Sequence, residues 1–91
     1  TAQAMSVCSA LGLSINLAGK VAESSIAGSA IVQLGCLAPN LTWGINVTAH
    51  YLAEDVTDTP VRVENGRVRP PAGAGLGITV SEDRVRRFQI K

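Results

Sequence analysis

The order of elements in the first half of the chain most narrows the choice of fold. Residues 1–11 carry Ala2, Met5, Cys8 and Leu11 at every third position, which gives one apolar helix face. Gly12 follows, where a left-handed residue ends a helix at little cost. Residues 13–17 alternate apolar and polar side chains, the strand period. Ser24 and Ser25 are placed to cap a second helix over residues 26–38, with Glu23 near its positive end. Ala27, Gly28, Ser29 and Ala30 let that helix approach another element closely, and Pro39 ends it. Residues 41–47 form a second strand. Helix, strand, helix, strand with short connections marks α/β architecture with parallel strands. Such strands need helices over their faces and neighbours at both edges. Two strands and two helices cannot supply these, so the segment is expected to start in the middle of something larger.

The second half reads differently. Residues 51–56 are one or two helical turns or an irregular exit, and Asp58-Thr59-Pro60 breaks the chain. Alternating valines at 61, 63 and 68 flank Asn65-Gly66, the preferred centre of a type I′ hairpin turn. Gly73, Gly75 and Gly77 then alternate. A phosphate cradle would need a strand before such glycines and a helix opening directly on them. Here Pro70-Pro71 precede them and Ile78-Thr79-Val80, which favours a strand, follows. A tight backbone crossing is the better reading. Ser81 caps a last helix with Glu82 and Asp83 in its first turn and Val85 and Phe88 on one face. Arg84, Arg86, Arg87 and Lys91 are expected on a solvated face.

Ninety-one residues allow one small domain. The composition, 46% hydrophobic but 3% aromatic, fits a core of small aliphatic side chains. A net charge of +1 argues for neither nucleic-acid nor membrane partners, and no run is long enough for a membrane span. Cys8 and Cys36 are too few for a disulfide scaffold and lack a C-x-x-C or histidine cluster, so both are expected as small buried hydrophobes in a reducing compartment. The N-terminus lacks a basic n-region, so no signal peptide and a cytoplasmic location are expected; the sequons at Asn40 and Asn46 are then chance. Trp43 is expected to pack in the core and His50, the one histidine, to be structural.

Three stretches together resemble a known family. PPAGAGLGITVSEDRV (70–85) resembles the C-terminal signature of the enolase superfamily, in its muconate cycloisomerase and mandelate racemase branch, which usually carries proline where this chain has Ala74. VAESSIAGSAIVQLG (21–35) is similar to the loop and helix after that family's seventh barrel strand, and APNLTWGINVTAHYLAEDV (38–56) to its last strand and exit. The resemblance implies the C-terminal part of a (β/α)8 TIM-type barrel. Residues 1–11 would be helix six, residues 13–17 strand seven and residues 41–46 strand eight. Residues 1–56 would form the barrel segment, and residues 57–91 a tail with the hairpin and glycine signature, returning to an α+β capping domain. A whole barrel takes about 250 residues, so the chain would hold about a quarter of it.

In this architecture, function lies at the C-terminal ends of the strands. Two segments reach that face. The first holds Gly19, Lys20 and Glu23. By the resemblance, aligned on Glu23, mandelate racemases place a histidine base where Gly19 falls; its absence favours a lysine-pair branch. Lys20 can touch an anionic substrate, although a solvated loop lysine is the commoner case. Glu23 more often serves as a helix N-terminal charge than as a catalytic acid. The second segment holds Asn46 and Thr48. Muconate cycloisomerases carry glutamate where Asn46 stands. An amide cannot transfer a proton as a carboxylate does, yet it can hydrogen-bond a substrate carboxylate or hydroxyl, or simply nearby backbone.

The resemblance thus implies part of an isomerase or lyase that removes the proton alpha to a carboxylate through an enediolate. Cycloisomerases, racemases, epimerases and dehydratases of small carboxylic acids share that step. It also implies Mg2+ or another divalent ion, bound, like the two catalytic lysines, by residues outside this chain. The expected partners are the remaining barrel and capping-domain polypeptide, a small carboxylic-acid substrate, and further copies in a homo-oligomer. The alternatives are a small non-catalytic α/β module that binds a partner through residues 26–38, or a degenerate barrel half serving assembly.

Overall fold

The computed structural model describes residues 1–90. Helix α1 (Ala2–Ala10) is followed by strand β1 (Leu17–Ala18), helix α2 (Ser25–Gly35), strand β2 (Ile45–Asn46) and a 3-10 turn (Ala49–Tyr51). The hairpin strands β3 (Val63–Glu64) and β4 (Arg67–Val68) and helix α3 (Glu82–Phe88) complete the order. β1 and β2 pair in parallel, Leu17 opposite Ile45 and Ala18 opposite Asn46, with α2 as the crossover. The helix–strand–helix–strand order is as expected. The regular pairing is shorter than the predicted strands at 13–17 and 41–47. Gly44 adopts φ 77° and bends the second strand just before it pairs. Backbone bonds nonetheless extend the association backwards: Ile15 N–H donates to Asn40 O (3.0 Å), and Trp43 N–H to Ile15 O (3.2 Å).

α1 ends as its sequence predicts. Gly12 takes φ 68°, its N–H donates to Ser9 O and the Leu13 N–H to Cys8 O, which satisfies two of the last carbonyls. α2 stops at Gly35, three residues before the predicted end at Ala38. There the bonding tightens to i−3: Leu37 N–H reaches Leu34 O and Ala38 N–H reaches Gly35 O. Gly35 is where the helix lies against the sheet. A Cβ built on it would sit 3.2 Å from Leu41, 3.5 Å from Ile45 and 3.7 Å from Leu17.

The start of α2 corrects an expectation. Ser24 occupies the N-cap position, but its side chain makes no capping bond. Asp55, thirty residues on, caps the helix instead. Ser25 N–H donates to both carboxylate oxygens (3.1 and 3.0 Å), and Ser25 Oγ donates to Oδ2 at 2.5 Å. Val56 N–H donates to Oδ1 (2.8 Å), and Val61 N–H donates to Ser25 Oγ (2.7 Å). Ser25 is wholly buried and Asp55 nearly so. Beside this network Val32, Val47 and Val61 form the core, with Ile45 and Val68 packed on it. Gly28 leaves room for it, its built Cβ lying 3.6 Å from Val47 and 4.0 Å from Val61. The core therefore joins the first half of the chain to the tail.

The hairpin forms with Val63 opposite Val68. Asn65 and Gly66 take φ 51° and 71°, as a type I′ turn demands. The glycine run is a crossing: a Cβ on Gly77 would lie 2.6 Å from Pro71 O. Gln33 Nε2 of α2 donates to that same oxygen (2.9 Å), pinning the crossing to the helix. Residues 78–80 do not become a named strand. They make a single antiparallel bridge, Thr57 with Val80, because only three residues separate Gly77 from the Ser81 cap. Ser81 caps α3 as predicted, accepting from Arg84 N–H, and Val85 and Phe88 stay partly exposed.

Three side-chain expectations are corrected. Arg84 is turned inward from the solvated face, because the Thr57–Val80 bridge sets the first turn of α3 against residues 54–58. Its NH1 donates to Thr57 O (2.6 Å), and its Nε lies 3.3 Å from Glu54. Arg87 pairs with the same glutamate. Lys91 lies outside the described residues. Trp43 is 71% exposed rather than in the core, because the bend at Gly44 carries its ring off the sheet. Cys36 is exposed and Cys8 half-buried, since Cys36 falls just past α2 where nothing in this segment covers it.

Replacing Asp55 tests the cap. Asp55→Ala removes a helix cap and strands the buried donors of Ser25, an expected loss of about 2–3 kcal/mol. Urea unfolding of the longest polypeptide that carries this segment reads it directly. A loss under about 0.5 kcal/mol, the scale of an ordinary surface substitution, would mean that the network contributes little.

Candidate functional site

The two parallel strands have a front and a back. Leu17 and Ile45 face α2, as their approach to Gly35 shows. Alternation then turns Asn16, Ala18 and Asn46 to the opposite face. The strands end together: Gly19 N–H donates to Asn46 O (3.2 Å), which sets Gly19 beside Asn46 where the chain leaves the sheet. All the candidate residues meet around this end.

The connection from β1 to α2 is held from across the sheet. Thr48 Oγ1 donates to Lys20 O and accepts from Glu23 N–H (3.4 Å). Between these points Ala22 adopts φ 58°, a left-handed conformation that costs an alanine about 1–2 kcal/mol. The Thr48 hydroxyl is thus spent on backbone, and it holds a strained turn in place. Glu23 Oε2 lies only 2.7 Å from where a Cβ on Gly19 would stand, so the missing side chain at 19 makes room for the carboxylate. Lys20 is exposed and makes no ion pair among the described residues.

Asn16 was missed from the sequence. Its Nδ2 donates to Trp43 O (3.1 Å), Gly44 O (2.9 Å) and Asn46 Oδ1 (3.1 Å). The signal was present in the alternation of residues 13–17, whose polar positions share the face that carries Asn46. His50, expected as structural, lies against Tyr51 in the 3-10 turn, with ring centroids 4.2 Å apart and planes tilted by 49°. Among the described residues no group of three His, Cys, Asp or Glu side chains could hold a metal ion. The described residues therefore do not by themselves make a metal centre. No helix of the described residues is long and apolar enough to cross a membrane.

The family model described as enolase C-terminal domain-like matches residues 1–84. The chain belongs to this family. A chloromuconate cycloisomerase of Cupriavidus pinatubonensis is 30% identical to this enolase-family chain over 71 residues, 77% of this chain and 19% of that protein. A muconate cycloisomerase of Acinetobacter lwoffii is 33% identical over 82 residues, 88% of this chain and 21% of that protein. The crystal structure of 2-chloromuconate cycloisomerase from Rhodococcus opacus superposes with a TM-score of 0.87 at 27% identity, covering 96% of this chain and 24% of that one. The enolase-family chain therefore spans about a fifth to a quarter of the length of these relatives.

Thr48→Val tests the grip on the loop. Losing a hydrogen bond worth about 1 kcal/mol should speed amide hydrogen exchange at Glu23 about fivefold while leaving Val32 unchanged. Equal acceleration at both amides would mean general destabilisation instead.

Proposed function

We propose that this chain is the end portion of a barrel isomerase acting on a small carboxylic acid. In this reading residues 1–56 supply barrel strands seven and eight with their helices, and residues 57–91 cross back over α2 towards a capping domain. The reaction is removal of the proton alpha to the carboxylate through an enediolate. The acid/base groups lie on other strands, as do the ligands of a divalent ion, Mg2+ being the first candidate. The assembled protein is cytoplasmic and homo-oligomeric. One observation carries the reading: Gly19, Lys20, Glu23, Asn46 and Thr48 meet at the C-terminal end of a parallel pair, where barrel enzymes place their chemistry. The family membership and the cycloisomerase relatives support it.

The residues here bind and orient. Asn46 offers an amide to a substrate carboxylate or hydroxyl. Because an amide cannot pass on a proton, the reading favours a racemase, epimerase or dehydratase over muconate lactonisation at this position. Lys20 adds a positive charge at the rim, and the loop held by Thr48 shapes the mouth.

The test uses the complete polypeptide in deuterated water with a panel of small carboxylic acids, with and without Mg2+. Cation-dependent deuterium incorporation alpha to the carboxylate is expected for at least one. Asn46→Ala should lower kcat/KM for it about 10- to 100-fold, the loss of a hydrogen bond to a charged group. No exchange with any acid would overturn the reaction.

A small partner-binding module is the competing account, favoured by the apolar Leu11, Leu13 and Trp43 left exposed. The barrel reading expects the 91 residues alone to lack a cooperative urea transition and to self-associate, because both outer edges of the parallel pair are open. A monomeric, cooperative melt would favour the module.

A further inference from the structure

We infer that Asn16 is a positioning residue that decides which end of the Asn46 amide faces the substrate. The inference rests on the reading above, in which Asn46 borders the site, and adds a residue and a polarity to it. Trp43 O and Gly44 O are backbone carbonyls and can only accept. The end of the Asn16 carboxamide that meets them, at 3.1 and 2.9 Å, is therefore its NH2 group. Turning the amide over would set its oxygen against two others. That same NH2 lies 3.1 Å from the Asn46 side chain. It can only donate, so Asn46 meets it with its oxygen. With two hydrogens and three acceptors, one N–H is shared between acceptors, and no spare donor or acceptor remains at that end.

The consequence falls on Asn46. Its oxygen is turned to Asn16, which takes one of its two acceptor sites, and its own NH2 is the end that Asn16 leaves free. Position 46 then offers its two donors ahead of its remaining acceptor site. It recognises an acceptor oxygen, above all that of an ionised carboxylate, and disfavours a substrate group that must donate. An asparagine without Asn16 would offer either end and would discriminate between the two less well. Side-chain volume at 46 is thus not what sets this preference; the fixed backbone carbonyls of residues 43 and 44 are, acting through Asn16.

The experiment labels the asparagines of the complete polypeptide with 15N and titrates it with malonate in the presence of Mg2+. The Asn46 side-chain amide signal is assigned by its loss in Asn46→Ser. Malonate should move the Asn46 NH2 signals and leave those of Asn16 in place. Asn16→Leu should weaken malonate binding about tenfold, the scale of a misdirected hydrogen bond to a charge, and Asn16→Ser should do likewise if the leucine variant does not fold. In an Asn46→Ala background neither change should weaken binding further. Asn46 signals that do not move, or an equal effect of Asn16→Leu in the Asn46→Ala background, would overturn the assignment. Malonate binding with this coupling intact but without proton exchange on any acid would remove the proposed reaction and leave the role of Asn16 standing.

Discussion

One buried carboxylate organises this segment. Asp55 sits at the positive end of α2, where four backbone N–H groups lack helical partners and a negative charge is stabilised by the helix dipole. A buried charge costs several kcal/mol unless its lone pairs are used. Here they are, by Ser25 N–H, Ser25 Oγ and Val56 N–H. Ser25 then passes the connection on by accepting from Val61 N–H, which brings Val61 into the core with Val32 and Val47. One network thereby joins the crossover helix, the exit from β2 and the start of the tail.

The site depends on that arrangement. The loop of residues 19–24 runs from the end of β1 to the start of α2, so anchoring α2 at Asp55 anchors one end of the loop. The strand bond between Gly19 and Asn46 holds the other. Between them Ala22 adopts a left-handed conformation, and the Thr48 hydroxyl grips the backbone on either side of it. Strain of this kind persists only where the surroundings over-determine the backbone. Under the proposed reading, the arrangement holds the backbone that carries Lys20 and Glu23 beside the Asn46 amide. The tail adds a second clamp, with Gln33 and the crossing of Gly77 over Pro71 holding the glycine run to the far part of α2.

Much of the element order could be read locally. The three-residue repeat of α1 with Gly12 after it, the Asn-Gly turn of the hairpin and the Ser81 cap of α3 each depend on residues within about one turn of one another. The need for close approach at Gly28 and Gly77 was readable too, since small residues stood where a crossing was called for. Strand lengths were less readable, because the bend at Gly44 shortens regular pairing without disturbing the apolar–polar alternation that announces a strand. The candidate residues Gly19, Lys20, Glu23, Asn46 and Thr48 came from where the strands end, and the geometry brings them to one place. Their division of labour, with Thr48 on backbone and Asn16 behind Asn46, was not visible.

The sequence by itself determined most of the elements, their order and the family, because these follow from periodicity, turn chemistry and motifs carried by neighbouring residues. Only the tertiary structure decided which group caps α2, where Arg84 points and which way Asn46 is turned. Ser24 looked like the cap and lost to Asp55, since a buried carboxylate accepting three donors outcompetes a serine hydroxyl that water can satisfy. Arg84 looked solvated until the Thr57–Val80 bridge placed backbone carbonyls and Glu54 within its reach. Asn16 and Asn46 stand thirty positions apart. Hydrogen bonds across such a distance depend on how strands are set side by side, and no local pattern encodes that.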